Sequence, residues 1–113
     1  MGALHLGGQG LVIDIEDHLL HHIKLLVVAK LRRNEPFLLS WRNPPETPGR
    51  HSVWIHREAD MHFEFEESAP SATDQRLLDV LSLDSMKSRG LELGHIGEHD
   101  PETGQIRIPE TAA

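Results

Sequence analysis

One amphipathic segment, residues 17–33, constrains the fold most, because it is long and regular enough to predict a helix. Its large aliphatic side chains recur at helical spacing and share one face: Leu19, Leu20, Ile23, Leu26, Val27 and Leu31. Asp17 suits the N-cap, and Arg32 and Arg33 suit the negative C-terminal end of the helix dipole. Lys30 falls on the apolar side near the helix end, where we expect its stem to pack and its ammonium to reach water.

Short segments in which apolar and polar residues alternate surround this helix and predict strands. They lie at residues 4–6, 11–15, 37–41, 52–57, 61–66 and 91–96, and a second helix is indicated between Ser71 and Arg89. The order is therefore β-β-α-β-β-β-α-β, with one further C-terminal hairpin strand left open. It predicts an α+β fold, a mostly antiparallel sheet with the two helices packed on one face. We expect the three strands after the first helix to form an antiparallel meander.

The length of 113 residues favours one domain. We assign residues 1–94 to a single α+β domain and residues 95–113 to a C-terminal hairpin or a loosely ordered tail. The absence of cysteine excludes a disulfide scaffold and every thiolate metal site. No apolar run approaches the roughly 20 residues of a membrane span, and the N-terminus lacks the pattern of a secretory signal. We therefore expect a cytoplasmic protein with no membrane partner.

The net charge of −7 is unevenly distributed along the chain. Residues 1–57 hold 7 basic and 5 acidic side chains, whereas residues 58–113 hold 4 basic and 13 acidic ones. An acidic chain repels phosphates at long range, which disfavours general binding to nucleic acid. A local basic patch in the first half could still contact phosphates.

Four runs of residues are distinctive: Met1-Gly2-x-Leu4 with Gly7; Ile13-x-Ile15-x-Asp17-x-x-Leu20-x-His22-x-Lys24; Lys30-Leu31-Arg32-Arg33-x-Glu35-x-Phe37-x-Leu39-Ser40-Trp41; and Val53-Trp54-Ile55-His56. Together they resemble a family of small uncharacterised actinobacterial proteins that automated naming often labels ATP-dependent DNA ligase or ligase-like. The resemblance is close over residues 1–57 and looser over residues 58–93. It implies a role beside DNA ligation or repair, as an accessory that contacts nucleic-acid phosphates.

The lysine contexts do not favour ligase catalysis. By the same resemblance, an adenylating ligase carries its nucleophilic lysine in a K-x-D-G motif, whereas Lys87-Ser88-Arg89-Gly90 has arginine in place of the aspartate. The chain is also too short for a nucleotide pocket together with a surface that embraces a duplex. We therefore expect no catalytic residues and no cofactor.

Three histidines of the first helix form the best candidate for a metal site. His18 and His22 stand four residues apart on one helix face, which is the spacing of paired histidine ligands, and His21 lies beside them. A third ligand would have to come from elsewhere, and Glu16 or Asp17 is near in sequence. The alternative is an ordinary solvated polar face, since a zinc site needs three or four converging ligands.

The basic cluster at the end of the first helix has two interpretations. Lys30, Arg32 and Arg33 could contact a phosphate or an acidic partner. They could equally complement the negative helix C-terminus, a contribution of about 0.3–1 kcal/mol each.

The two tryptophans are expected to differ in burial. Trp41 alternates in phase with Phe37 and Leu39 and is assigned to the core, whereas Trp54 faces away from its apolar neighbours and is a candidate contact residue. Exposed apolar residues beside the polar arc of the first helix would suit a homodimer contact.

These features favour a small cytosolic, non-catalytic interaction or regulatory module. Its partner would be another protein or a second copy of the chain, bound through the end of the first helix and Trp54. The first alternative is the DNA-repair accessory, which uses Lys30, Arg32 and Arg33 on phosphates. The second is a metal-binding protein that uses His18, His21 and His22.

Overall fold

The computed structural model describes residues 1–7, 10–88 and 90–95. Its elements, in chain order, are β1 (Gly2–Leu6), β2 (Leu11–Ile15), α1 (Asp17–Arg32), β3 (Phe37–Arg42), β4 (Arg50–Ile55), β5 (Met61–Glu64), α2 (Gln75–Ser85) and β6 (Leu91–His95). This is an α+β domain, as predicted. The C-terminal hairpin or loosely ordered tail predicted for residues 95–113 lies outside the described residues, apart from residue 95 at the end of β6.

The strands form two small sheets rather than one. The first has the order β2-β1-β5 and is antiparallel throughout. In the second, β3 pairs antiparallel with β4 and parallel with β6. The predicted meander of β3, β4 and β5 is therefore wrong. After β4 the chain turns at residues 56–60 and β5 crosses to the other sheet, where His62 lies opposite His5.

One apolar core joins both sheets and both helices. It contains Leu4 and Ile13 from the first sheet, Leu39 from the second, and Ile23 and Leu81 from the helices, all at most 2% exposed. α1 packs against β1, α2 packs against β3 and β6, and the two helices also contact each other. The two predicted helices and the mostly antiparallel strands are therefore present, with the strands divided between two sheets rather than one.

The helix ends differ from the predicted ones in informative ways. The N-cap of α1 is Glu16, whose carboxylate accepts a hydrogen bond from the Leu19 backbone N–H at 3.2 Å. Asp17, the predicted N-cap, instead accepts bonds from the backbone N–H groups of Glu66 and Glu67 at 3.2 and 2.9 Å. A side chain of the helix thus anchors the segment that follows β5.

The second helix begins and ends inside its predicted limits. Asp74 is the N-cap, and its side chain accepts bonds from the backbone N–H groups of Arg76 and Leu77. The capping pair predicted for Ser71 does not form the helix start, because the cap lies three residues later. Among the described residues, no helix is long and apolar enough to cross a bilayer.

Candidate functional site

The side of the second sheet that faces away from the core is open, and its residues change from apolar at one end to basic at the other. We call it the outer face. It consists of three cross-strand pairs of β3 and β4: Leu38 with Trp54, Ser40 with Ser52, and Arg42 with Arg50.

Strict alternation along β3 creates this face. Phe37, Leu39 and Trp41 point inward and are at most 5% exposed, so the residues between them must point outward. Trp54 is 57% exposed, which confirms the prediction that it lies at the surface while Trp41 belongs to the core.

The apolar end of the outer face borders a cleft. Trp54 lines this cleft of about 320 Å³ together with Leu6 and Leu11 of the first sheet and the turn at residues 56–60. A partner side chain placed against the indole would therefore also meet aliphatic surface, which is the environment of a typical hot-spot residue.

The middle and the far end of the outer face are polar. The hydroxyl groups of Ser40 and Ser52 share a hydrogen bond at 2.8 Å. Beyond them Arg42 and Arg50 lie directly opposite each other, an arrangement that is destabilising for like charges in an antiparallel pair. The Glu92 carboxylate lies 3.8 Å from Arg42 Nε.

This end of the face carries an excess of positive charge. One glutamate faces two guanidinium groups, and within residues 1–7, 10–88 and 90–95 no carboxylate pairs with Arg50. Strands rise about 3.3 Å per residue, so Arg50 stands about 13 Å along β4 from Trp54. An apolar contact and a cationic contact thus lie about 13 Å apart on the same strand.

The basic end of α1 is largely neutralised by Glu35. The carboxylate accepts bonds from Arg33 Nε and Nη2 at 3.0 and 3.2 Å, and one of its oxygens lies 3.9 Å from Lys30 Nζ. The hydrogen bond from Arg33 lowers the pKa of Glu35, and the same bond raises the pKa of Arg33. Lys30 is 6% exposed, with its ammonium 5.7 Å from the centre of the Phe37 ring.

Arg32 has a different environment from its two neighbours. It lines a groove between α1 and β5, together with Arg57 of the turn at residues 56–60. Trp54 lines the cleft on the other side of that turn, and Ala59 borders both depressions. In the described part of the chain, the end of α1 and Trp54 therefore line two neighbouring depressions that share Ala59.

His22 is not part of a solvated face, contrary to the helical wheel. It is completely buried, because the N-terminus of α2 covers this arc of α1. Its Nδ1–H donates to the His18 carbonyl at 2.7 Å, and its Nε2 accepts from the Asp74 backbone N–H at 2.8 Å. Both ring nitrogens are therefore used in hydrogen bonds.

The other two histidines lie beside this ring. His18 meets it edge to face at 4.6 Å, and His21 Nε2 lies 3.2 Å from the Thr73 hydroxyl. In the part of the chain that the structure describes, no three histidine, aspartate or glutamate side chains are placed to hold a metal ion.

Sequence reasoning missed a histidine pair on the first sheet. The rings of His5 and His62 stack at 4.9 Å, and His5 Nε2 lies 2.9 Å from the Glu64 carboxylate. No local signal identifies this group, since it depends on the pairing of β1 with β5. The opposition of Arg42 and Arg50 was also missed, because the predicted strands end at residue 41 and begin at residue 52, whereas the observed strands extend to include both arginines.

The fold and the outer face define a small α+β domain with an open, partly cationic sheet surface. The chain belongs to the family described as a domain of unknown function (DUF7882), whose model matches residues 1–96. The searches of the curated proteins and of the solved structures each give no match. The family domain thus spans every strand and helix described above.

Proposed function

We propose that this domain is a non-catalytic interaction module whose outer face binds an extended, acidic segment of a partner protein. One observation carries the proposal: an indole that is 57% exposed shares an open sheet face with two opposed arginines. Tryptophan and arginine are the residue types that most often dominate binding energy at protein interfaces.

The distance between Trp54 and Arg50 defines how far apart the matching side chains of the ligand must be. An extended peptide also advances about 3.3 Å per residue, so side chains four residues apart are separated by about 13 Å. A large apolar side chain placed on Trp54 therefore brings the fourth residue along to Arg50. An aspartate or glutamate there would relieve the repulsion between Arg42 and Arg50, while the serine pair offers hydroxyl groups in between.

A selection from a displayed library of random peptides tests this proposal on the complete protein. We expect enriched peptides to share a large apolar residue and an acidic residue four positions away. Trp54→Ala should weaken their binding by roughly tenfold or more, because loss of a hot-spot side chain costs about 2 kcal/mol. Met86→Ala is the matched control, since Met86 is a 75% exposed apolar residue outside this face.

Charge reversal separates a specific site from general adhesion. Arg50→Glu should abolish binding of the acidic peptide and restore binding to a version with lysine at that position. The proposal is refuted if the selection enriches no peptide. It is also refuted if Trp54→Ala and Arg50→Glu leave binding unchanged.

The role in DNA repair remains the alternative proposal. It is less well supported because Glu35 neutralises Lys30 and Arg33, which leaves Arg32 with the groove residue Arg57. Fluorescence anisotropy with nicked and single-stranded DNA at about 50 and 200 mM salt distinguishes the two. Salt-sensitive binding that Arg32→Ala weakens would favour the accessory role. We propose a cytoplasmic location for either role, on the sequence pattern alone.

A further inference from the structure

We infer that the open edge of β5 and the groove beneath the end of α1 form a second binding site, which takes an extended strand from an acidic partner protein. This inference does not depend on the outer face, which belongs to the other sheet. It rests on apolar side chains of the first sheet that are only partly covered.

The inner side chains of β5 are less buried than their direct partners on β1. Leu4 and Leu6 are 0% and 5% exposed, because β1 has a strand on each side. Phe63 and Met61, which lie opposite them, are half-buried. Among the described residues no strand pairs with the outer edge of β5, so these two side chains lack the cover that a neighbouring strand would give.

The groove has the position that an added strand would need. It has a volume of about 350 Å³ and runs between Met61 and Phe63 on one side and Val28 and Leu31 on the other. A strand paired with β5 would place every second side chain toward α1, over this apolar floor. The backbone groups at the edge of β5 would supply the hydrogen bonds, as in other cases of strand addition.

The charges around the groove indicate an acidic partner. Arg32 and Arg57 line it, and in the described part of the chain neither is paired with a carboxylate. The acidic residues of the same turn, Glu58 and Asp60, line the Trp54 cleft instead. The turn thus directs its cation toward the groove and its carboxylates away from it. Glutamate or aspartate flanking the apolar residues of an added strand would complement the two guanidinium groups.

Peptide selection on the Trp54→Ala variant tests this site separately, because that variant lacks the hot spot of the outer face. We expect enriched peptides in which apolar residues alternate and acidic residues flank them. On binding, the backbone amide signals of Met61–Glu64 should shift in NMR spectra, and the amides at the open edge should gain protection from hydrogen exchange.

Substitutions at exposed positions complete the test without disturbing the core. Arg57→Glu and Val28→Glu should each weaken binding at least tenfold, whereas Val12→Glu, at a valine that is 48% exposed on β2, should not. Equal binding of a peptide with lysine in place of its acidic residues would overturn the inference. So would the enrichment of no peptide, or concentration-dependent dimerisation through β5, which would make a second copy the occupant.

Discussion

The buried ring of His22 connects the two helices through the backbone N–H of Asp74, which donates to His22 Nε2 at 2.8 Å. A backbone N–H can only donate, so Nε2 is unprotonated and the proton of the neutral ring lies on Nδ1. Asp74 is the N-cap of α2. One side chain of α1 therefore fixes where the second helix begins.

We expect His22→Ala to lower the free energy of unfolding by about 2–4 kcal/mol, from a cavity and a buried backbone N–H left without its partner. Urea denaturation followed by circular dichroism measures this loss. His21→Ala is the matched control on the same helix, and it should cost less than about 1 kcal/mol, since His21 makes one long bond near the surface. Equal losses in the two variants would contradict the role assigned to His22.

Zinc tests the metal-binding alternative directly. Both nitrogens of His22 are engaged in hydrogen bonds, so coordination would have to break one of them. We expect a stoichiometric amount of zinc to leave the melting temperature of the protein unchanged. A rise of several degrees that His18→Ala abolishes would instead establish a site on α1.

The pKa of His21 lies below its ordinary value of 6.5, because burial disfavours the charged ring and nearby positive charge, such as that of Lys24, repels it. The unfolded chain therefore binds a proton at a pH at which the folded chain does not. Stability is complete above the ordinary pKa and decreases as the pH falls through it. We expect the urea midpoint to decrease between about pH 7.5 and 5.5, measured in parallel buffers.

Two variants test whether His21 causes the slope of the urea midpoint against pH. His21→Ala should flatten it, and Lys24→Met should reduce it partly, because one of the repelling charges is removed. A slope that neither variant alters would show that other groups determine the pH dependence.

The alternation of apolar and polar residues predicted burial correctly where the two-residue period of a strand alone determines which side chains face the core. The alternation of β3 and β4 placed Leu39 inside and Trp54 outside, as the structure shows. The partner of β5 could not be predicted, because an alternating strand fits either sheet and its contact with β1 spans most of the domain. The burial of His22 was missed for a similar reason, since a helical wheel does not show that α2 covers its polar arc.

The two glycines Gly10 and Gly90 form a natural comparison, because their φ angles are +74° and +75°. A Cβ at Gly10 would meet open space, whereas at Gly90 it would collide with the Leu38 carbonyl oxygen, where the chain enters β6 beside β3. Gly10→Ala should cost about 1–2 kcal/mol from the left-handed backbone alone. Gly90→Ala should cost a further ~1–3 kcal/mol from overpacking. Equal urea midpoints for the two variants would contradict this close approach.

Lys30 and Glu35 provide a test of how the end of α1 is stabilised. The lysine side chain is buried, and Glu35 is the carboxylate that approaches its ammonium, at 3.9 Å. Removing that partner leaves a buried charge uncompensated, whereas replacing the lysine by an apolar residue of similar length removes the charge as well. We therefore expect Glu35→Gln to lower the urea midpoint and Lys30→Met to leave it nearly unchanged.

The double variant Glu35→Gln with Lys30→Met separates the contribution of the Lys30–Glu35 pair to stability from that of the hydrogen bonds between Arg33 and Glu35. If the buried ammonium causes the loss, Glu35→Gln should cost less in the Lys30→Met background than in the parent protein. The parent should also lose stability as the pH falls below 4.5, because the lowered pKa of Glu35 means that the unfolded chain takes up the proton first. Additive effects of the two substitutions would show instead that Arg33 alone accounts for the contribution of Glu35.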